Sequence, residues 1–317
     1  MKSDNRQKLY YLKMEFFDEL RDKNGVVKIC APMVRYSKLP FRLLVREFDC
    51  DLAFSPMIMA ESFAVSEKAR RNEFTTSKKD KPLIVQFASN TVHQFVQSAQ
   101  IVEPYCNGVD LNCGCPQGWA LKEGIGACLI EKPDFVSDLV KQTRNQVKDD
   151  LLVSVKIRIH SDYKKTIELC RQVEKAGVSF ISVHGRTRTQ RSDPVNLEAI
   201  KAIKESVQVP VVANGDIKSL EDVQKVKAAT NIDGVMAARG LLENPAFFAG
   251  HDITPKSCVE SWLRIALETG TQFQCFHHHL SYMLERSFCK AERKYFNSFN
   301  STSAVLDYLE TNYQIRS

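Results

Sequence analysis

The residues best suited to chemistry lie in Gly108–Pro116, GVDLNCGCP, and in the loop that returns at Gly124–Ala127, GIGA. An apolar strand pattern through Val109 and Leu111 stops at Asn112-Cys113-Gly114-Cys115-Pro116. Gly114 permits an unusual backbone there, and Pro116 forbids continuation of the strand. A thiol on a bent loop at the mouth of a strand can act as an acid or a nucleophile. Free cysteine is also among the most buried residue types, so a structural reading of either thiol stands beside the chemical one.

Other apolar runs are interrupted at the same end. Pro32-Met33-Val34, Gln86, Lys156 with Arg158, His184 with Arg186, Asn214-Gly215-Asp216 and Ala238-Arg239 each follow or close a short β-branched run. Lys156 could form a Schiff base, stabilise negative charge on a reduced cofactor ring, or pair with a neighbouring acid. His184 is a candidate acid, base or donor, and Arg186 beside it makes an anion-facing role plausible because both can donate to one group.

These residues need elements to hold them. Eight apolar runs occur, at Val26–Met33, Asp51–Met57, Leu83–Phe87, Val109–Asn112, Leu151–Ile157, Phe180–His184, Val211–Asn214 and Gly234–Ala238. Amphipathic segments lie between them, among them Asp134–Val147, Tyr163–Ala176 and Ser219–Ala228. Ser219 with Glu221 and Asp222 marks a helix start, and Ala176-Gly177 a helix end. Strand–helix alternation repeated eight times predicts an α/β fold, a closed (β/α)8 TIM barrel. No GxGxxG follows the first run, which lowers a dinucleotide-fold reading. From Cys258 to Tyr313 only helical periodicity remains. The expected organisation is an extension over 1–25, a barrel over 26–250 and a small all-helical domain over 251–317.

In such a barrel function gathers at the C-terminal ends of the strands, and the last two loops commonly build a phosphate site. Gly215 and Gly240 let backbone N–H groups approach an anion, and Arg239 adds a charge-assisted bond. Tight turns alone would also explain the glycines.

The chain has 317 residues, a net charge of +6 and ten cysteines. Basic and acidic residues balance over 251–317, so the excess charge lies in the first 250; it is compatible with nucleic acid without proving it. No secretory or membrane-spanning run is apparent. The reading is a cytoplasmic or also nuclear protein with reduced thiols. Cys106, Cys113 and Cys115 lack zinc-site spacing, His277-His278-His279 has no further ligands, and no metal is expected.

Taken in order, APMV at 31–34, VQF at 85–87, DLNCGCP at 110–116, GIGACL at 124–129 and VKIR at 155–158 carry a resemblance. VHGRT at 183–187, ANGDI at 213–217, MAARG at 236–240 and LLENP at 241–245 complete it. Together they resemble the tRNA-dihydrouridine synthase family, most of all the eukaryotic branch that modifies positions 20a and 20b of the tRNA D-loop. The resemblance spans about residues 26–250. It implies FMN as cofactor, NADPH as reductant and a flipped-out tRNA uridine as substrate. It places Pro32, Met33 and Val34 against the flavin through backbone, and Gln86, Lys156 and His184 around its ring. Asn214, Gly215, Asp216, Ala238 and Arg239 would hold its phosphate. Asn112, Arg158 and Arg186 would face the substrate.

Cys115 matches the family's active-site cysteine. Reduced FMN would deliver a hydride to uracil carbon 6 and Cys115 a proton to carbon 5; an ordinary thiol, titrating near ~8.5, holds its proton at neutral pH. Lys156 would then stabilise the flavin anion. Cys113 is read as a structural neighbour. The loop Gln117–Gly126 reads as a lid over Cys115, with Trp119 on the lid or anchoring it. No protein partner is indicated. Two other readings remain: an FMN barrel reductase of a small pyrimidine, and an inactive tRNA-binding scaffold. The added helical segment and the motif order weigh against the first, and the complete set Cys115, Lys156, His184 and Arg186 against the second.

Overall fold

Apolar runs buried on both faces, separated by amphipathic helices, can satisfy their backbones only as parallel strands in a covered sheet. The computed structural model, which describes residues 15–21 and 25–316, has this arrangement. Its strands are β1 (Val27–Cys30), β2 (Leu52–Phe54), β3 (Ile58–Met59), β4 (Leu83–Ala88), β5 (Gly108–Cys113), β6 (Leu152–Arg158), β7 (Phe180–His184), β8 (Val211–Asn214) and β9 (Gly234–Ala237). All pair in parallel, and the ring closes where β1 pairs with both β2 and β9. Eight staves therefore form a barrel. The ninth strand, β3, continues the second stave along β4 after a break at Ser55-Pro56, where proline cannot donate to a ladder. Ser55 Oγ accepts the Gln86 backbone N–H there at 3.0 Å.

The helices around the barrel are α1 (15–20), α2 (Leu39–Arg46), α3 (Ala60–Val65), α4 (Glu67–Glu73), α5 (Val92–Val102), α6 (Gly118–Lys122), α7 (Pro133–Gln146), α8 (Tyr163–Ala176), α9 (Leu197–Ser206), α10 (Leu220–Thr230) and α11 (Arg239–Glu243). The predicted punctuation is present: Ser219 accepts the Asp222 N–H at the start of α10, and Gly177 ends α8 at φ 101°. After Pro255 come α12 (Lys256–Glu268), α13 (Phe273–Met283), α14 (Lys290–Phe296) and α15 (Thr302–Tyr313). This helical region rests on α2 and on the turn after β1. The fully buried His279 stacks on Phe41 at 4.4 Å and bonds the Tyr36 carbonyl at 3.2 Å, so that part of the histidine run is packing.

The sequence offered no role for the extension over 1–25, of which 1–14 and 22–24 lie outside the described residues. Helix α1 has one. Phe17, 1% exposed, meets Phe180 at 5.2 Å at the N-terminal end of β7, and Arg21 pairs with Asp233 at 2.9 Å just before β9. The helix plugs the barrel floor.

Candidate active site

Paired residues in a parallel ladder share a face, so the registers state what lines the barrel. Gln86, Asp110 and Ser154 share one level; Asn112, Lys156 and Ser182 share the next; Arg158, His184 and Asn214 stand at the rim. Val109, Leu111 and Cys113 alternate outward into the helical layer. Cys113 is fully buried among them, whereas Cys115 sits half-buried at the mouth. The bend separates the two thiols as the structural reading of Cys113 requires.

A chain of amides leads to Cys115. The backbone N–H groups of Gly114 and Cys115 donate to Asn112 Oδ1 at 3.1 and 2.9 Å. Asn112 Nδ2 then donates to Gln86 Oε1 at 2.8 Å, and Gln86 Nε2 to Asp110 Oδ2 at 2.8 Å. Ser154 Oγ donates to the other carboxylate oxygen at 2.6 Å. Sequence reasoning missed Asp110 and Ser154, although a carboxylate inside the apolar run Val109–Leu111 was a signal available to it.

The returning loop seals the thiol's other side. Ala127 N–H donates to the Cys115 carbonyl at 2.9 Å, and Gly126 approaches at φ 72°. A Cβ on Gly126 would stand 2.6 Å from that carbonyl oxygen. Gly126→Ala is therefore expected to cost about 1–3 kcal/mol in denaturant unfolding. An unchanged midpoint would contradict this packing. Trp119 does not anchor the loop, being 48% exposed; Ala120 and Ile125 do, packed on Ala88.

From β6, Lys156 reaches across to β8, where its Nζ donates to Asn214 Oδ1 at 2.9 Å, and Asn214 Nδ2 donates to the Met236 carbonyl at 2.8 Å. Beyond them His184, Arg186, Gly215, Asp216, Ala238, Arg239 and Gly240 line a small hollow. Asp216, at φ 53°, takes Arg186 on one side and Arg239 at 3.3 Å on the other. A Cβ on Gly240 would lie 2.3 Å from the Ile217 carbonyl oxygen, so the two loops can close this tightly only at glycine.

The cup is cationic. Burial first, and the Arg158 charge second, lower Lys156 from an ordinary lysine to about 8. Burial, then Lys156, Arg158, Arg186 and Arg239, push His184 far below the usual imidazole range. It is neutral, its Nε2 accepting from Arg186 Nη1 at 3.4 Å, so it cannot serve as a charged acid at neutral pH. Among the described residues no three His, Cys, Asp or Glu side chains are grouped to hold a metal ion.

A family model for dihydrouridine synthases matches residues 29–315. The chain belongs to the dihydrouridine synthase family. It is 55% identical to the human protein named tRNA-dihydrouridine(20a/20b) synthase [NAD(P)+]-like, over 94% of each chain. With the Schizosaccharomyces pombe tRNA-dihydrouridine(20a/20b) synthase [NAD(P)+] the identity is 44%, over 94% of this chain and 91% of that one. Among solved structures, an old yellow enzyme homologue from Zymomonas mobilis aligns with a TM-score of 0.52 at 11% identity, over 74% of this chain and 92% of that one. That likeness is one of fold.

Within this dihydrouridine synthase family member the expected site residues gather at one end of the barrel, but not all face the open cup. Gln86 has no exposed surface and acts through Asn112. Arg158 donates to the carbonyls of Gly114, Thr187 and Gln190 at 3.0, 2.8 and 3.2 Å, stapling the cysteine loop to the loop after β7. Arg186, 1% exposed, lines the hollow beside Asp216. Sequence position put both arginines beside the substrate; their partners are other loops, which no local pattern encodes.

Proposed function

We propose that this chain is an FMN-dependent tRNA-dihydrouridine synthase that uses NADPH to reduce D-loop uridines at positions 20a and 20b. The observation that carries the reading is the juxtaposition, across one cationic cup, of a half-buried thiol and an anion-sized hollow. The residues fit FMN. The hollow offers Arg186, Arg239 and left-handed backbone at Gly215-Asp216 for a phosphate, with one carboxylate against two guanidiniums. Lys156 and neutral His184 offer a cation and a donor toward the ring, Gln86 supports from beneath, and the Pro32-Met33-Val34 turn closes one edge.

FMN held there would supply the hydride chemistry that links NADPH to the uracil ring. The protein's residues do the rest. Cys115 holds a proton and releases it to the uracil carbon opposite the cofactor. Asn112 keeps the thiol loop in place and presents its amide near the base. Lys156 stabilises negative charge developing across the cup. Arg158 acts through the loops that it joins, and Arg186 through the hollow, beside Asp216 and His184. Residues 251–317, with Arg35 and Lys38 on the adjoining turn, form the tRNA-binding side of a protein that works in the cytoplasm or nucleus.

Two results test the reading. Cofactor released from the purified protein should match FMN, and the reduced protein should be reoxidised by unmodified tRNA but not by free uridine, uracil or orotate. Reoxidation by the small pyrimidine alone would replace tRNA with a small substrate, and a colourless protein that still binds tRNA would make it a scaffold.

The Lys156 charge carries a pH dependence. With its acidity near 8, the ammonium form falls as pH rises through that value, and uridine reduction should fall with it. In Lys156→Met most of the activity should be lost, about 10²-fold for one lost electrostatic contact, and the alkaline limb should shift, leaving only what loss of the Cys115 proton contributes. A pH–rate profile whose limb is unmoved in Lys156→Met would assign it wholly to another group.

A further inference from the structure

One buried acid has no part in the chemistry described above. Asp110 is fully buried at the middle of β5, and its nearest polar neighbours are Ser154 and Gln86. An unpaired carboxylate in a barrel core is costly, so its retention needs a compensating return.

The amide chain supplies one. Asparagine and glutamine side chains are ambidextrous: either end can donate or accept, depending on which way the amide is turned. At the upper end the ambiguity is resolved by backbone. Gly114 and Cys115 N–H groups are obligate donors, so Asn112 must offer them Oδ1. Asn112 Nδ2 then points to Gln86, which must offer Oε1, and Gln86 Nε2 must meet an acceptor at the lower end. A carboxylate accepts only, so it enforces this direction. An apolar residue there would leave the buried Gln86 Nε2 without an acceptor and so favour a turned Gln86, which would confront Asn112 with a second donor. Asn112 would have to turn as well and drop the Cys115 N–H. Burial does push the Asp110 carboxyl up to about 6, with the Ser154 and Gln86 bonds opposing it, so the acceptor-only form still dominates at neutral pH.

We propose that Asp110 is a positioning residue: it locks the lower end of the Gln86–Asn112 amide chain in the direction that the Gly114 and Cys115 N–H groups require and thereby holds the Cys115 backbone where the thiol can reach its substrate. This rests on the reading of Cys115 as the proton donor.

The test uses the full chain carrying its cofactor. Asp110→Leu removes the acceptor at similar volume. Asp110→Asn keeps one, because its Oδ1 can accept from Gln86 while its Nδ2 donates to Ser154 Oγ. The first readout is the rate at which iodoacetamide alkylates Cys115, followed by peptide mass spectrometry; the second is reoxidation of the NADPH-reduced protein by tRNA.

A displacement of about 1 Å costs about 10²-fold in a positioned reaction, so Asp110→Leu should slow reoxidation by about that factor and change Cys115 alkylation by about tenfold. Reduction by NADPH, which does not need the thiol, should change far less. Asp110→Asn should leave alkylation within about twofold of the native rate, as expected when the acceptor end is retained.

Native alkylation and reoxidation in Asp110→Leu would overturn the proposal. So would an Asp110→Asn variant as impaired as Asp110→Leu, since charge and not hydrogen-bond direction would then matter. If the leucine variant does not fold, Gln86→Leu breaks the same chain one link later and should shift Cys115 alkylation alike; no shift overturns the proposal. Cys115→Ser run in parallel separates the underlying reading. Full tRNA reduction by that variant would remove Cys115 as the acid while the alkylation result on Asp110 stands by itself.

Discussion

Replacing Cys115 with alanine is expected to lower uridine reduction by about 10²–10⁴-fold, the range for removing a positioned general acid. Reduction of the bound cofactor by NADPH should continue at the native rate. The asymmetry follows from place. The thiol stands at the mouth of β5, held by the Asn112 cap and the Ala127 N–H, across the cup from the hollow, toward which Lys156 reaches from the neighbouring β6 through Asn214. Among the described residues the thiol makes no hydrogen bond to Lys156 or to the residues of the hollow. No other group can substitute: Cys113 is buried in the helical layer and its thiol is pushed well up by burial, and His184 is neutral. Stopped-flow absorbance would read the two half-reactions separately. Equal losses in both would mean that the alanine variant damages the cup as a whole.

The largest effect on stability is expected from Asp80→Ala. Asp80 has no exposed surface and accepts from Arg42 Nη2 at 2.6 Å, Arg42 Nε at 3.0 Å, Arg46 at 3.3 Å and Thr76 Oγ1 at 3.1 Å. Arg42, 1% exposed, also donates to the carbonyls of Ser37 and Thr75 at 2.7 and 2.8 Å. Removing the carboxylate leaves a guanidinium buried without a counter-charge, which costs about 3–5 kcal/mol. The exposed pair Arg71–Glu67, at the same 2.6 Å separation, is the control; Glu67→Ala should cost no more than about 0.5 kcal/mol. Distance is equal in the two pairs and burial is not, so burial decides. Because Arg42 holds Ser37, and Ser37 Oγ accepts the Met33 N–H at 2.9 Å, Asp80→Ala should also loosen the turn assigned to the flavin. Urea unfolding of both variants checks the comparison, and equal small losses would contradict it.

The barrel was legible because its staves are buried on both faces and read as continuous apolar runs between amphipathic helices. The rim residues were legible as polar interruptions at one end of those runs. What the chain did not disclose is pairing across sequence distance. Arg42 and Asp80 look like two more charges in a basic stretch, and only the fold reveals that they meet. Arg158 and Arg186 sat where substrate contacts were expected; the Arg158 guanidinium joins two loops, and that of Arg186 lines the hollow beside Asp216. Helix α1 read as a charged extension because the apolar floor that receives Phe17 is assembled from strands far along the chain. Asp110 is the different case. It stood inside an apolar strand in plain view, and only the direction of the amides above it explains why a carboxylate belongs there.

The most direct test of the account is to incubate purified protein with NADPH and an unmodified tRNA transcript and to map dihydrouridine by mass spectrometry. Dihydrouridine is expected at positions 20a and 20b with the native protein and, at the same incubation time, far less with Cys115→Ala. A native protein that consumes NADPH yet leaves every tRNA uridine intact would contradict it.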